Sequence, residues 1–221
     1  MFTKNQWLVM GFSALYLMLG GIYFLQDFNF EFVIYVGVII ALFAGVFGTL
    51  KTTQFPTWML WMFSFWGLLH VLGGALSTAD GVLFAYKIYP FLDLGGDFYI
   101  LKYDQVVHFY LYMLVAMMAH HVLSYRFQIP KNSFLLALAA VLISVGVSSL
   151  NEIMEFLIAI SLEENGVGGY ENAFGSSSGY SPFKMYQKII FSLCSALTIY
   201  ALLSSKKRKF HVKKNIPTTS L

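Results

Sequence analysis

The run FLLALAAVLISVGVSSLNEIMEFLIAI, residues 134–160, is apolar almost throughout yet carries two carboxylates, Glu152 and Glu155. About 20 apolar residues suffice to cross a bilayer as a helix, and this run exceeds that length. Residues at i and i+3 share a helix face, so Glu152 and Glu155 point the same way, with Asn151 one turn before Glu155. A charged side chain at the bilayer centre costs about 2.5–3.5 kcal/mol on insertion scales. The two glutamates therefore call for something to meet them: a cation, a metal, a proton or water.

The rest of the chain repeats the pattern. It has 221 residues, 58% hydrophobic and only 11% charged, with a mean hydropathy of +0.67. A soluble domain carries about 25% charged residues. The single cysteine, Cys194, lies in an apolar run, excludes an intrachain disulfide and reads as a small buried hydrophobe. The first apolar stretch is longer than a signal-peptide core and lacks a small-x-small cleavage site, so it reads as a retained span.

Six spans of suitable length follow, at residues 7–25, 32–50, 57–75, 104–123, 134–161 and 183–204. The fold class expected is an all-α polytopic membrane helix bundle, with residues 1–205 as one six-helix domain and 206–221 as a basic cytoplasmic tail. Six spans put both termini on one side. That side holds ten basic residues (Lys4, Lys51, Arg126, Lys131 and six between Lys206 and Lys214), against Lys87, Lys102, Lys184 and Lys188 on the other. The positive-inside rule then makes both termini cytoplasmic. Trp7 and Trp58 fall at the cytoplasmic interface. Most acids, Asp27, Glu31 and Asp80 among them, fall outside or at the outer edge. Residues 76–103, with Pro90 and Gly95-Gly96, read as an interfacial or re-entrant stretch. The Gly/Ser-rich residues 166–182 read as a mobile segment.

Direction converts sequence position into depth at about 1.5 Å per residue. The fifth span runs outward, so Glu152 and Glu155 lie about 27 and 31 Å from its inner end, near the outer boundary of a ~30 Å core. Asp104 opens the inward-running fourth span, with His108 one turn below, and His70 lies in the outer half of the third. His70, Asp104, His108, Glu152 and Glu155 are thus expected at similar depth on three helices. Each also has a plainer reading. Asp104 can complement the helix dipole while His108 bonds to it. The glutamates can form a packed hydrogen-bonded network with Lys188 as counter-charge. His70 can be a satisfied core histidine, with Gly73-Gly74 permitting a bend or a close helix approach. His120 and His121 fall at the opposite, cytoplasmic end and read as interfacial, and His211 belongs to the basic tail.

His-x-x-Gly-Gly at 70–74, Tyr-Asp-x-x-x-His at 103–108 and Asn-Glu-x-x-Glu-Phe at 151–156 together resemble the YjdF-like family of small bacterial inner-membrane proteins. A more distant similarity is to VanZ-like proteins, which share a D-x-x-x-H helix and a later Glu-bearing helix and are associated with glycopeptide-antibiotic tolerance. The resemblance covers roughly residues 55–200 and implies a multi-pass protein of the bacterial plasma (inner) membrane. The chain departs from it before the last span. Where the family carries a G-D-x-x-D-like stretch, residues 179–188 hold Lys184 and Lys188 and no aspartate.

Three functions compete. The first is a cell-envelope role in which the polar cluster binds membrane lipid or a lipid-linked envelope ligand. The second is a membrane hydrolase or transferase acting on an amphiphilic envelope substrate. There His70, Asp104, His108, Glu152 and Glu155 would hold one divalent metal such as zinc, and Glu155, Glu152 and His108 would act as catalytic acid and base. The third is an ion-coupled transporter, disfavoured by the scarcity of polar residues deep in the first three spans. Nucleic acid is not an expected partner.

Overall fold

The computed structural model describes residues 2–79, 81–93 and 99–164. The expected sixth span, the Gly/Ser-rich segment, the basic tail and Lys184 and Lys188 lie outside the described residues.

Five long helices pack as a bundle: α1 (Lys4–Gln26), α2 (Phe30–Gly48), α4 (Thr57–Ala75), α5 (Tyr103–Phe127) and α6 (Phe134–Glu164), with α3 (Leu50–Thr53) a single turn between α2 and α4. Among the described residues these five are long and apolar enough to cross a membrane. The chain is an all-α polytopic membrane bundle. Local signals set the helix ends. Thr3 and Gln6 form a reciprocal capping box at the start of α1. The Asn29 side chain accepts from the Phe32 amide to start α2. Gln54 ends α3, and Gln128 ends α5, each in a left-handed conformation.

Helix α6 buries small polar side chains and turns many of its leucines outward. Leu135, Leu142, Leu150 and Leu157 of α6 are all exposed, whereas Ser144 and Ser148 on its inner face are fully buried. That is the reverse of a soluble amphipathic helix and suits a lipid surround. Helices α1 and α4 are joined deep in the bundle, where the Ser13 and Ser64 hydroxyls lie 2.7 Å apart and the Tyr16 hydroxyl donates to the Ser64 carbonyl at 2.9 Å. Helix α5 is tied to α4 by Tyr103, which donates to the Leu69 carbonyl at 3.0 Å, and by Tyr110, which donates to Met62 at 3.1 Å.

Between α4 and α5 the expected interfacial stretch forms two small antiparallel hairpins, β1 (Ser77–Thr78) with β2 (Gly81–Val82) and β3 (Lys87–Asp93) with β4 (Tyr99–Lys102). A 3-10 turn over Leu83–Ala85 separates them and drops Phe84 into the bundle, where it is buried. Gly73 and Gly74 serve as ring seats rather than a bend. A Cβ on Gly73 would lie 2.5 Å from the Phe84 ring, and one on Gly74 would collide with the Phe32 ring. Phe32 stacks on Phe84 at 6.0 Å and on Phe24 at 5.0 Å, so it has little room to withdraw. At the other end His121 Nε2 lies 3.1 Å from both the Thr53 and Gln54 carbonyls. Carbonyls only accept, so this nitrogen carries the proton and staples α5 to α3.

Gly74→Ala should cost about 1–3 kcal/mol through overpacking against Phe32. Gly11→Ala, whose Cβ meets nothing within 4 Å, should leave stability unchanged or slightly raised. Thermal unfolding in a fixed detergent distinguishes the two.

Candidate functional site

Antiparallel packing brings the start of α2, the end of α4, the start of α5 and the later turns of α6 to one end of the bundle. On α5, Asp104, His108 and Tyr112 follow at i, i+4 and i+8 and so share a face. On α6, Ser144, Ser148, Asn151 and Glu155 follow at steps of four, three and four, which also keeps them in line. The two polar lines meet across the α5–α6 contact. Ser144 donates to the Tyr112 carbonyl at 2.7 Å, and the His108 ring stacks on Tyr112 at 5.8 Å.

His108, only 4% exposed, is the centre of the site. Its Nδ1 lies 2.9 Å from Asp104 Oδ1, and its Nε2 lies 3.2 Å from Glu155 Oε1. Asn151 Nδ2 donates to the same Glu155 oxygen and lies 3.4 Å from His108 Nε2. The arrangement supports two protonation states. A neutral ring can accept from Asn151 at Nε2, whereas an imidazolium pairs electrostatically with both carboxylates. The Asp104 side chain is 25% exposed and that of Glu155 is 11% exposed, so the line runs from a more open end to a more buried one. Asp104 also stands in the first turn of α5, where the helix dipole favours an anion. Gln105 fixes that turn by accepting from the Leu101 and Lys102 amides at 2.7 and 2.9 Å.

Glu31 is the member that the topology placed with the outer-edge acids. The structure buries it to 1% exposure in the first turn of α2. Its Oε1 accepts from the Tyr35 hydroxyl at 3.2 Å. Its Oε2 is buried and has no hydrogen-bond partner among the described residues. Its carboxylate lies within electrostatic reach of Glu155. The sequence carries a faint sign of this, because Glu31 stands one turn before Tyr35 on an otherwise apolar helix. Its burial comes from tertiary packing, which no local pattern discloses.

The five residues expected at one depth are thus partly gathered. Asp104, His108 and Glu155 meet. His70 stands among rings, 5.1 Å from Phe84, 5.7 Å from Trp66 and 5.9 Å from Tyr35, the last of which bonds Glu31. The Glu152 side chain lies outside the described residues. Among the described residues no group of three or more His, Cys, Asp or Glu is disposed to hold a metal ion. Both nitrogens of His108 face carboxylates.

Glu155→Ala should destabilise the protein by about 1–3 kcal/mol by leaving His108 Nε2 and the Asn151 amide without their acceptor. Glu155→Gln, which keeps an oxygen in place, should recover most of that loss when both are compared by thermal unfolding in detergent.

The family model described as predicted membrane protein (DUF2238) matches residues 5–172, most of the chain and all five long helices to the end of α6. This is the YjdF family, as the three motifs implied, whereas the more distant VanZ-like similarity is not supported. No curated protein and no solved structure matches the chain. The chain belongs to the DUF2238 family of predicted membrane proteins.

Proposed function

We propose that this DUF2238 member binds the polar end of an amphiphile, a membrane lipid or lipid-linked envelope ligand, at the Asp104–His108–Glu155 cluster. The observation that carries this reading is the placement of His108 between two carboxylates at one end of a lipid-facing bundle, with Asp104 a quarter exposed. A polar group entering there can exchange hydrogen bonds with Asp104 while its apolar part stays beside the outward-turned aliphatic side chains. The distribution of basic residues supports a bacterial inner-membrane orientation with both termini cytoplasmic and the cluster facing outward.

A second reading is acid–base catalysis on the same class of molecule. Asp104 orients the His108 ring, and Glu155 stands ready to exchange a proton with its far nitrogen, which is the geometry a general base needs. Native mass spectrometry of the purified full-length protein tests both. The expected result is a retained amphiphile, lost about tenfold in His108→Leu at unchanged protein abundance. A chemically altered species on the wild type alone supports turnover. Equal retention by wild type and His108→Leu overturns the proposal.

A further inference from the structure

Asp104, the more open acid of the cluster, stands where strand β4 gives way to α5, and the backbone of that junction is under constraint. Leu101 has a φ of +84°, in the left-handed region. A bulky side chain is disfavoured there, and such a residue persists only where its surroundings hold it. The β3–β4 ladder shifts register at this point, so that Ile100 pairs with Leu92 and Lys102 with Lys87. Between those pairs the Leu101 amide turns to the Gln105 side-chain oxygen, at 2.7 Å. The Lys102 amide donates to the same oxygen at 2.9 Å. Gln105 is buried, so losing its oxygen would leave two amides without an acceptor where water is scarce.

The residue before Asp104 is anchored as well. The Tyr103 amide donates to the Tyr86 carbonyl at 2.9 Å, and the Tyr103 hydroxyl donates to the Leu69 carbonyl at 3.0 Å. Asp104 thus lies between two fixed neighbours. The consequence is geometric. Asp104 Oδ1 lies 2.9 Å from His108 Nδ1 across one turn, i to i+4, and that spacing exists only while residues 104–108 are wound as a helix. The first turn of a helix is its weakest, because its amides lack intrahelical acceptors. A side chain at the third helical position that reaches back to the N-cap amide holds such a turn. Gln105 does this for the N-cap Lys102 and extends it to the left-handed Leu101.

We propose that Gln105 is a positioning residue for the binding site. By holding Leu101 left-handed and Lys102 capped, it keeps the first turn of α5 wound, and Asp104 reaches His108 only from that turn. The inference rests on the binding role assigned above to the Asp104–His108–Glu155 cluster and adds the residue that keeps Asp104 in it.

Two measurements on the full-length protein in detergent test this. The first is amide hydrogen exchange read by mass spectrometry. Gln105→Met, which keeps the side-chain length and removes the acceptor, should speed exchange over residues 101–108 about tenfold and leave residues 120–127 unchanged. Gln105→Glu, which keeps an oxygen, should stay within about twofold of the wild type. If Gln105→Met does not fold, Gln105→Asn, whose shorter side chain draws the oxygen back, provides the same readout. The second is lipid retention by native mass spectrometry from micelles doped with phosphatidylethanolamine and phosphatidylglycerol. Gln105→Met should lower retention about tenfold on its own but less than about twofold beside Asp104→Asn, because the residue it positions is already altered. Unchanged exchange over 101–108 in Gln105→Met, equal exchange in the Met and Glu variants, or an equal loss of retention with and without Asp104→Asn overturns the positioning role. If His108→Leu retains as much lipid as the wild type, the binding reading fails by itself, and the exchange result still decides whether Gln105 holds the turn that carries Asp104.

Discussion

A carboxylate buried among apolar helices must be met by a donor or a counter-charge, because the low dielectric makes an unmet charge cost several kcal/mol. This constraint organises one end of the bundle. His108 serves two acids at once, Asp104 on its own helix and Glu155 on α6, and so links the two helices through one ring. Asn151 occupies the same Glu155 oxygen, and Gln105 fixes the turn that presents Asp104. On Glu31, Tyr35 meets one carboxylate oxygen, and Oε2 has no hydrogen-bond partner among the described residues.

The packing below the cluster follows from a lipid surround. Beside an apolar core, helix contacts use close approach, ring seats and buried hydroxyls. Gly73 and Gly74 admit the Phe84 and Phe32 rings, which stack on each other. The Ser13–Ser64 and Ser144–Tyr112 bonds join helix pairs at depth. Gly73 thereby borders the His70 ring through Phe84, which lies 5.1 Å from it.

Much of this was legible in the chain. The span at 57–75 coincides with α4, the span at 134–161 starts where α6 does, and the other described spans differ from their helices by a few residues at each end. Apolar run length alone determines this, since a membrane leaves few alternatives to a helix. Depth counting put His70, Asp104, His108, Glu152 and Glu155 at a common level. Depth gives height along a helix but not the direction a residue faces, so it could not separate His108, which bridges acids, from His70, which stands among rings. The same gap concealed Glu31: a glutamate at a helix start after Gln26, Asp27 and Asn29 reads as solvated until tertiary packing closes over it. The spacing of Ser144, Ser148, Asn151 and Glu155 did carry the orientation of α6, as a polar stripe on an apolar helix.

His108 and Glu155 act as one unit across the α5–α6 contact. A double-mutant cycle with His108→Gln and Glu155→Gln, read by unfolding free energy in a single detergent, measures it most directly. Polar pairs between membrane helices average about 0.6 kcal/mol of coupling, and a charge-assisted pair at this burial should exceed about 1 kcal/mol. Effects of the two substitutions that add to within about 0.3 kcal/mol would contradict the account.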